Sequence, residues 1–346
     1  MATMRAVRFD SSTRTLEPAE VPVPEPGPLE VLVKVEACGI CLSDVHLIDG
    51  GIPPIVPVVT PGHESSGVVA ATGELVTGWS EGTRVSLMGG RPCRTCARCV
   101  VGRIDECLEP QLMGFHYDGA WAEYVVAPYQ TLAPIPDGIA AEHAAILADA
   151  VATPYAALKE RAELRPGESI GLWGIGGLGT HAVQIARLLG ASMIVAVDPL
   201  PPARERALTV GADVALDPET TDVWTEIRGL TDGVGLDVTV DLVGSNAVLE
   251  QAVSCLRRGG RAVMVGLSME PISLGPGLVF GVQQHALLGH LGYSKAHLEE
   301  LVRLVAAGRL DLSGSISDVI PLDDVPDGVR RLAMKEGDPV RIVVRP

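Results

Sequence analysis

Between about residue 168 and residue 265 the chain alternates apolar runs with helical periods, and no other feature restricts its fold so strongly. The apolar run Ser169–Trp173 leads into clustered glycines and then into a helical period through Ala182, Ile185, Ala186 and Leu189. A second run follows at Met193–Val197, and the alternation repeats through Val238–Val243, a helix over Ala247–Leu256, and Arg261–Val265. Strands joined by helices at this spacing pair in parallel, because a parallel neighbour needs a crossover. The expectation is an α/β, doubly wound parallel sheet. Residues 1 to about 150 have another texture: rich in Pro and Gly, with short β-branched runs at Val31–Val35, Gly67–Ala70 and Glu123–Ala127. That texture predicts a loop-rich β domain. After about His290 come a helix over Ala296–Ala307 and a strand-like Val340–Val344, too short to form a domain and expected to pack onto the first one.

The glycines sit where a strand becomes a helix. Gly174, Ile175, Gly176, Gly177, Leu178 and Gly179 make a G-x-G-G-x-G turn. Glycines there permit a tight turn and a close approach of backbone to a pyrophosphate, and the helix N-terminus presents free N–H groups to the phosphates. A glycine pattern alone is weak. Here Asp198 ends the next strand about 20 residues on, where a carboxylate hydrogen-bonds ribose hydroxyls and repels a 2′-phosphate. Dinucleotide binding is expected, with NAD favoured over NADP; an ordinary strand-end turn residue is the plainer reading of Asp198.

Composition narrows the class. A length of 346 residues suits about two domains, and 47% hydrophobic residues suffice for cores built from Val, Leu, Ile and Ala, since aromatics make up only 3%. The net charge is −16 with no basic stripe, which argues against nucleic acid and anionic membranes as partners. The most apolar region, Ile170 to Val197, is interrupted by glycines, His181, Gln184 and Arg187, and the N-terminus lacks an apolar signal core. A soluble cytoplasmic protein is therefore expected, whose seven cysteines serve as metal ligands or reduced core thiols.

Four of them follow C-x2-C-x2-C-x7-C: Cys93, Cys96, Cys99 and Cys107. Two-residue gaps let one loop wrap a tetrahedral ion, and four thiolates make a closed structural zinc site with no place for substrate. Arg94, Arg98 and Arg103 are placed to offset the negative charge. Iron–sulfur ligation begins with similar spacing, but the x7 gap and the lack of Pro after Cys107 disfavour it.

Two turns in the first domain carry further donors: Gly39-Ile40-Cys41-Leu42-Ser43-Asp44-Val45-His46 and Pro61-Gly62-His63-Glu64. With the four-cysteine lobe, the segment Asp118-Gly119-Ala120-Trp121-Ala122-Glu123-Tyr124 and the Gly174–Gly179 loop, they make the chain resemble the zinc-containing medium-chain dehydrogenase/reductase family over essentially its full length. The resemblance implies a GroES-like β domain over 1–153 and 291–346, with the zinc lobe at about 89–110, and a Rossmann domain over 154–290. It implies a zinc- and NAD-dependent alcohol dehydrogenase that moves hydride between an alcohol carbon and nicotinamide. The catalytic zinc would be held by Cys41, His63 and Asp149, with Cys38 a core thiol. Asp149 stands where the family usually has Cys, as in some of its secondary-alcohol dehydrogenases; a carboxylate is a harder donor, so weaker zinc retention and a more Lewis-acidic metal are expected. Asp149 as a helix cap is the competing reading.

The family's proton relay maps to Ser43 and His46, and a nicotinamide contact to Thr153. Val265 and Gly266 end the strand that meets the carboxamide through its backbone. Glu64 matches an acidic neighbour that either approaches zinc or orients an Arg or water. Leu42 departs from the family, which often places Arg or His there against the pyrophosphate; Leu42→His is expected to tighten NAD binding. Gly89-Gly90 hints at room in a pocket wall. Cys255 and His116, His143, His181, His285, His290 and His297 read as structural or surface residues. Secondary alcohols are the expected substrates. A polyol, sugar or amino-alcohol dehydrogenase of the same family is the alternative, and a catalytically silent cofactor-binding relative is the reading from another class. A homo-oligomer is expected, a tetramer before a dimer.

Overall fold

The computed structural model describes residues 2–346, which fall into two compact units: residues 2–152 with 293–346, and residues 153–292. In the second unit the apolar runs at Ser169–Trp173 and Met193–Val197 are strands with those same ends. They lie in a six-stranded parallel sheet whose order is Val214–Leu216, Met193–Val197, Ser169–Trp173, Leu236–Asp241, Leu256–Met264, Ala286–Gly289. The chain starts in the middle, winds outward one way, returns, and winds out the other. The order reverses beside Ser169–Trp173, the place where such sheets bind ligands at the carboxyl ends of their strands. Trp173, Val195, Val197, Leu236 and Ile227 are buried in its core.

Several boundaries differ from those expected: the strand read at Val238–Val243 is Leu236–Asp241, and the largest shift follows it. The helix Asn246–Ser254 stops short of Leu256, which instead begins the strand Leu256–Met264. Three consecutive residues, Arg258, Gly259 and Gly260, hid the early part of that strand from a hydrophobic reading.

In the first unit, the long strand Glu30–Ile40 is the hub. It pairs antiparallel with Glu64–Thr72, with Tyr124–Pro128 and with the C-terminal Ile342–Arg345. Its alternation of buried Val31, Val33 and Val35 with exposed Lys34 and Glu36 is the period-2 signature of a half-covered sheet. The C-terminal segment thus returns to the β domain through backbone pairing. Trp121, Met113, Leu87 and Ile40 fill the core, together with Cys38, fully buried as a core thiol. No helix among the described residues is long and apolar enough to cross a membrane.

Candidate metal centres and dinucleotide loop

Cys41 sits where the hub strand ends and the helix Leu42–Asp49 begins. Its extended backbone caps that helix, and its N–H donates to Asp44 Oδ2 at 2.9 Å. His63 enters from the next turn. Gly62 precedes it at φ +94°, and a Cβ there would lie 2.5 Å from the Trp121 ring and 2.9 Å from Cys38 Sγ, so only glycine lets the chain turn. Asp149 comes from a helical run that breaks at Ala148–Asp149, where Asp149 adopts φ +110°, ψ −69°. That is not a cap geometry. A non-glycine residue there stores strain, of order 1–3 kcal/mol, that the surroundings must hold.

The strain aims the carboxylate. Asp149 Oδ2 lies 3.3 Å from Cys41 Sγ and 3.5 Å from His63 Nε2. With Glu64 these ligand atoms all fall within 4.8 Å of one another. The surroundings demand a cation. Burial pushes the Cys41 thiol up, and the Asp149 carboxylate pushes it further. Burial likewise raises Glu64, against the pull of Arg341. For His63 the burial that disfavours its charged form is outweighed by Asp44 and Asp149, so its pKa rises well above the ordinary value. Buried anionic donors packed this closely repel one another, and a divalent cation relieves them. The donor set of thiolate, imidazole and carboxylate suits zinc.

Two residues that sequence reasoning did not single out support this cluster. Asp44 Oδ1 lies 3.1 Å from His63 Nδ1, which leaves Nε2 to face the cluster. Arg341, just before the C-terminal strand, brings Nη2 to 2.8 Å from Glu64 Oε1, with both side chains buried. Arg341 and Glu64 are far apart in the chain, so no local pattern could pair them. Glu64 takes the room that a side chain at Gly39 would need: a Cβ there would lie 2.2 Å from Glu64 Oε2. Ser43 Oγ is 3.5 Å from Cys41 Sγ, and His46 lies one turn along the same helix, half-buried, 3.9 Å from Asp49. Leu42 is exposed. Gly89 packs against His63, since a Cβ there would lie 2.8 Å from the His63 carbonyl oxygen.

The second cluster holds Cys93, Cys96, Cys99 and Cys107, all as free thiols and close enough to share one ion. Backbone N–H groups turn toward the sulfurs: Cys93 N to Cys107 Sγ at 3.2 Å, Cys96 N to Cys93 Sγ at 3.3 Å, and Leu108 N to Cys96 Sγ at 3.5 Å. The backbone N–H of Leu108 first, and then that of Cys99, lower Cys96 to about 6, while burial pushes Cys99 up to about 12. The nearby arginines are engaged elsewhere. Arg98 and Arg103 pair with Glu106, and Arg94 Nη2 reaches the Leu29 carbonyl and Gln130 at 3.4 Å each. Backbone dipoles, rather than guanidinium groups, face the thiolates.

In the second unit, Gly174 turns the chain at φ +91°, and a Cβ on Gly179 would lie 2.0 Å from Gly174 O, so helix and strand touch backbone to backbone. Gly176 is exposed, with nothing within 4 Å of a Cβ position, which leaves an open cradle above the helix Gly177–Leu188, of which Leu178 is half-buried. That is the shape a pyrophosphate needs. Asp198 is buried and braces the turn, accepting from Ile175 N at 2.7 Å and from Leu200 N at 2.9 Å. Each carboxylate oxygen retains a lone pair for a further donor. Thr153 is buried, with His290 Nε2 3.1 Å from its carbonyl oxygen, which ties the start of the unit to its end. Val265 N and Gly266 N both donate to Asp241 O, at 2.8 and 3.0 Å, beyond the strand ends.

Comparison with known proteins agrees with these features. Residues 27–137 match the alcohol dehydrogenase GroES-like domain and residues 177–307 the zinc-binding dehydrogenase family. An alcohol dehydrogenase of Geobacillus stearothermophilus is 34% identical over 334 residues, 95% of this chain and 96% of its own. A sorbitol dehydrogenase of Bacillus subtilis is 30% identical over 97% of this chain and 95% of its own. A putative zinc-binding dehydrogenase from Sinorhizobium meliloti, solved with NADP bound, superposes with a TM-score of 0.92 at 31% identity over the full length of both chains.

Proposed function

Since this chain belongs to the zinc-dependent medium-chain dehydrogenase/reductase family and is an NAD-dependent oxidoreductase acting on CH–OH groups, we propose that it interconverts secondary alcohols and their ketones. The observation that carries this reading is Asp149, whose carboxylate lies 3.3 Å from Cys41 Sγ. Cys41, His63 and Asp149 hold the catalytic zinc, and Cys93, Cys96, Cys99 and Cys107 the structural one. Bound zinc supplies Lewis acidity, lowering the proton affinity of an alcohol oxygen and polarising a carbonyl. A carboxylate donates less charge to the ion than a thiolate, which suits a ketone, less electrophilic than an aldehyde.

The remaining work falls to the chain. Asp44 holds the His63 imidazole in the tautomer that offers Nε2 to the ion. Ser43, beside Cys41, takes the alcohol proton, and His46, one helical turn on, passes it to solvent. Glu64 balances Arg341 behind the ligands rather than serving as a fourth ligand. The Gly174–Gly179 backbone binds the pyrophosphate, Asp198 the adenosine ribose, and Thr153, Val265 and Gly266 the nicotinamide. The active form is a homo-oligomer, a tetramer before a dimer.

A panel of primary and secondary alcohols with NAD and NADP, paired with metal analysis, tests the proposal. The expected result is about two zinc ions per chain, secondary alcohols favoured, and NAD over NADP. A preference for primary alcohols would overturn the substrate assignment, and a single zinc per chain the ligand assignment.

A further inference from the structure

Tyr293 begins the segment that returns to the first unit, and its hydroxyl accepts from the N–H of Gly89 at 3.4 Å. Gly89 in turn lies against His63. The phenol therefore lies on the His63 side of the cluster, where the charges of Asp149, His63 and Glu64 act on it. Burial of the hydroxyl, with the Asp149 carboxylate adding to it, pushes its pKa far above the ordinary tyrosine value. It keeps its proton at any working pH. A phenol can both accept and donate. Tyr293 accepts from Gly89, but its O–H finds no acceptor among the described residues. A donor kept beside a catalytic cluster with nothing to receive it awaits an acceptor from the ligand.

The reacting oxygen already has its partners, since it goes to the ligand cluster and to Ser43 beside Cys41. Tyr293 stands on the side of the opposite ligand, His63, by way of Gly89. Resting on the secondary-alcohol reading, we infer that Tyr293 is a specificity-determining donor to an oxygen on the carbon adjacent to the reacting carbinol, and that the preferred substrates are vicinal diols and the corresponding α-hydroxyketones.

The test compares 2,3-butanediol with 2-butanol, and 3-hydroxy-2-butanone with 2-butanone, on the zinc-loaded enzyme and its Tyr293→Phe variant. Wild type should show kcat/KM about tenfold or more higher for the diol, because a site built to hydrogen-bond a hydroxyl rejects the analogue lacking it. Tyr293→Phe should lower the diol value about 10–100-fold while leaving 2-butanol within about twofold. Calorimetric titration of the NAD+-loaded protein gives a readout apart from turnover: the variant should bind the hydroxyketone about tenfold more weakly and the plain ketone unchanged. Equal losses for both members of a pair, or no loss for either, would overturn the inference. If wild type oxidises neither alcohol, the secondary-alcohol reading falls and the binding arm alone decides the role of Tyr293. If the variant does not fold, wild-type discrimination between hydroxyketone and ketone decides it, and equal affinity overturns it.

Discussion

The two candidate metal clusters of the first unit are built on opposite principles. The four cysteines come from one short loop, and their sulfurs are met by backbone N–H groups of that same loop. Cys41, His63 and Asp149 come from a helix start, a strand start and a broken helix, and carboxylates and a buried arginine surround them. The loop site is nearly self-sufficient: once its ion is bound, all four positions are filled and the ion can only stabilise. The dispersed site keeps buried charges and a strained Asp149 backbone, features that cost stability and that cluster at functional sites. On the proposed reading, one cluster stabilises the fold, while the other is held up by it.

The largest test of that contrast removes one ligand from each. Cys41→Ala should lower zinc from about two ions to about one and cut kcat/KM by about 10³-fold, since a Lewis acid contributes several kcal/mol to such a reaction. Its thermal midpoint should stay near wild type. Cys107→Ser should do the reverse, lowering the midpoint by about 5–10 °C while activity per folded molecule stays within about threefold. Metal analysis, steady-state kinetics and calorimetry on both variants check this. If Cys41→Ala melts as early as Cys107→Ser, the division of labour is wrong.

A smaller effect probes how far the dispersed site depends on its support. Asp44→Asn removes the charge that faces His63 Nδ1 at 3.1 Å. Zinc affinity at the catalytic site should fall about 10–100-fold, with the lobe's ion retained, as read by competition with a chelator. Equal loss of both ions would mean that Asp44 supports the whole unit instead.

The smallest effect concerns pH in zinc-free protein. Backbone donors, that of Leu108 first, bring Cys96 from 9.0 down to about 6. A folded pKa below the unfolded one contributes stability in full above 9.0 and loses it as pH falls through about 6. Burial raises Cys99 to about 12, so its contribution is complete below 9.0 and is lost only as pH rises through about 12. Between pH 9 and 6 the Cys96 contribution changes, as does that of Cys93, which the Thr95 and Cys96 backbone N–H groups also lower, so the comparison with Cys96→Ser isolates the Cys96 share. Chelator-stripped wild type should therefore lose stability over that interval relative to Cys96→Ser in parallel denaturant titrations. Parallel slopes would show that the N–H groups do not favour the thiolate.

Local order in the chain was enough to specify the parallel sheet, the glycine turn and the four-cysteine loop. Each is built from residues close in sequence, whose periodicity or spacing already contains the physics. The strands Ser169–Trp173 and Met193–Val197 were legible for that reason, and the one beginning at Leu256 was not, because Arg258, Gly259 and Gly260 interrupt its apolar pattern. Family resemblance extended the reading to Cys41, His63 and Asp149 and to Ser43, His46 and Glu64 beside them, but it did not name the partners that hold them. Arg341 against Glu64, Asp44 against His63, the Gly89–His63 contact and the Tyr293 hydroxyl all depend on antiparallel pairing and on a C-terminal strand returning to the hub. Burial and cross-strand distance are properties of the assembled chain, and they alone decide which charges must be balanced and which donor is left to meet a ligand.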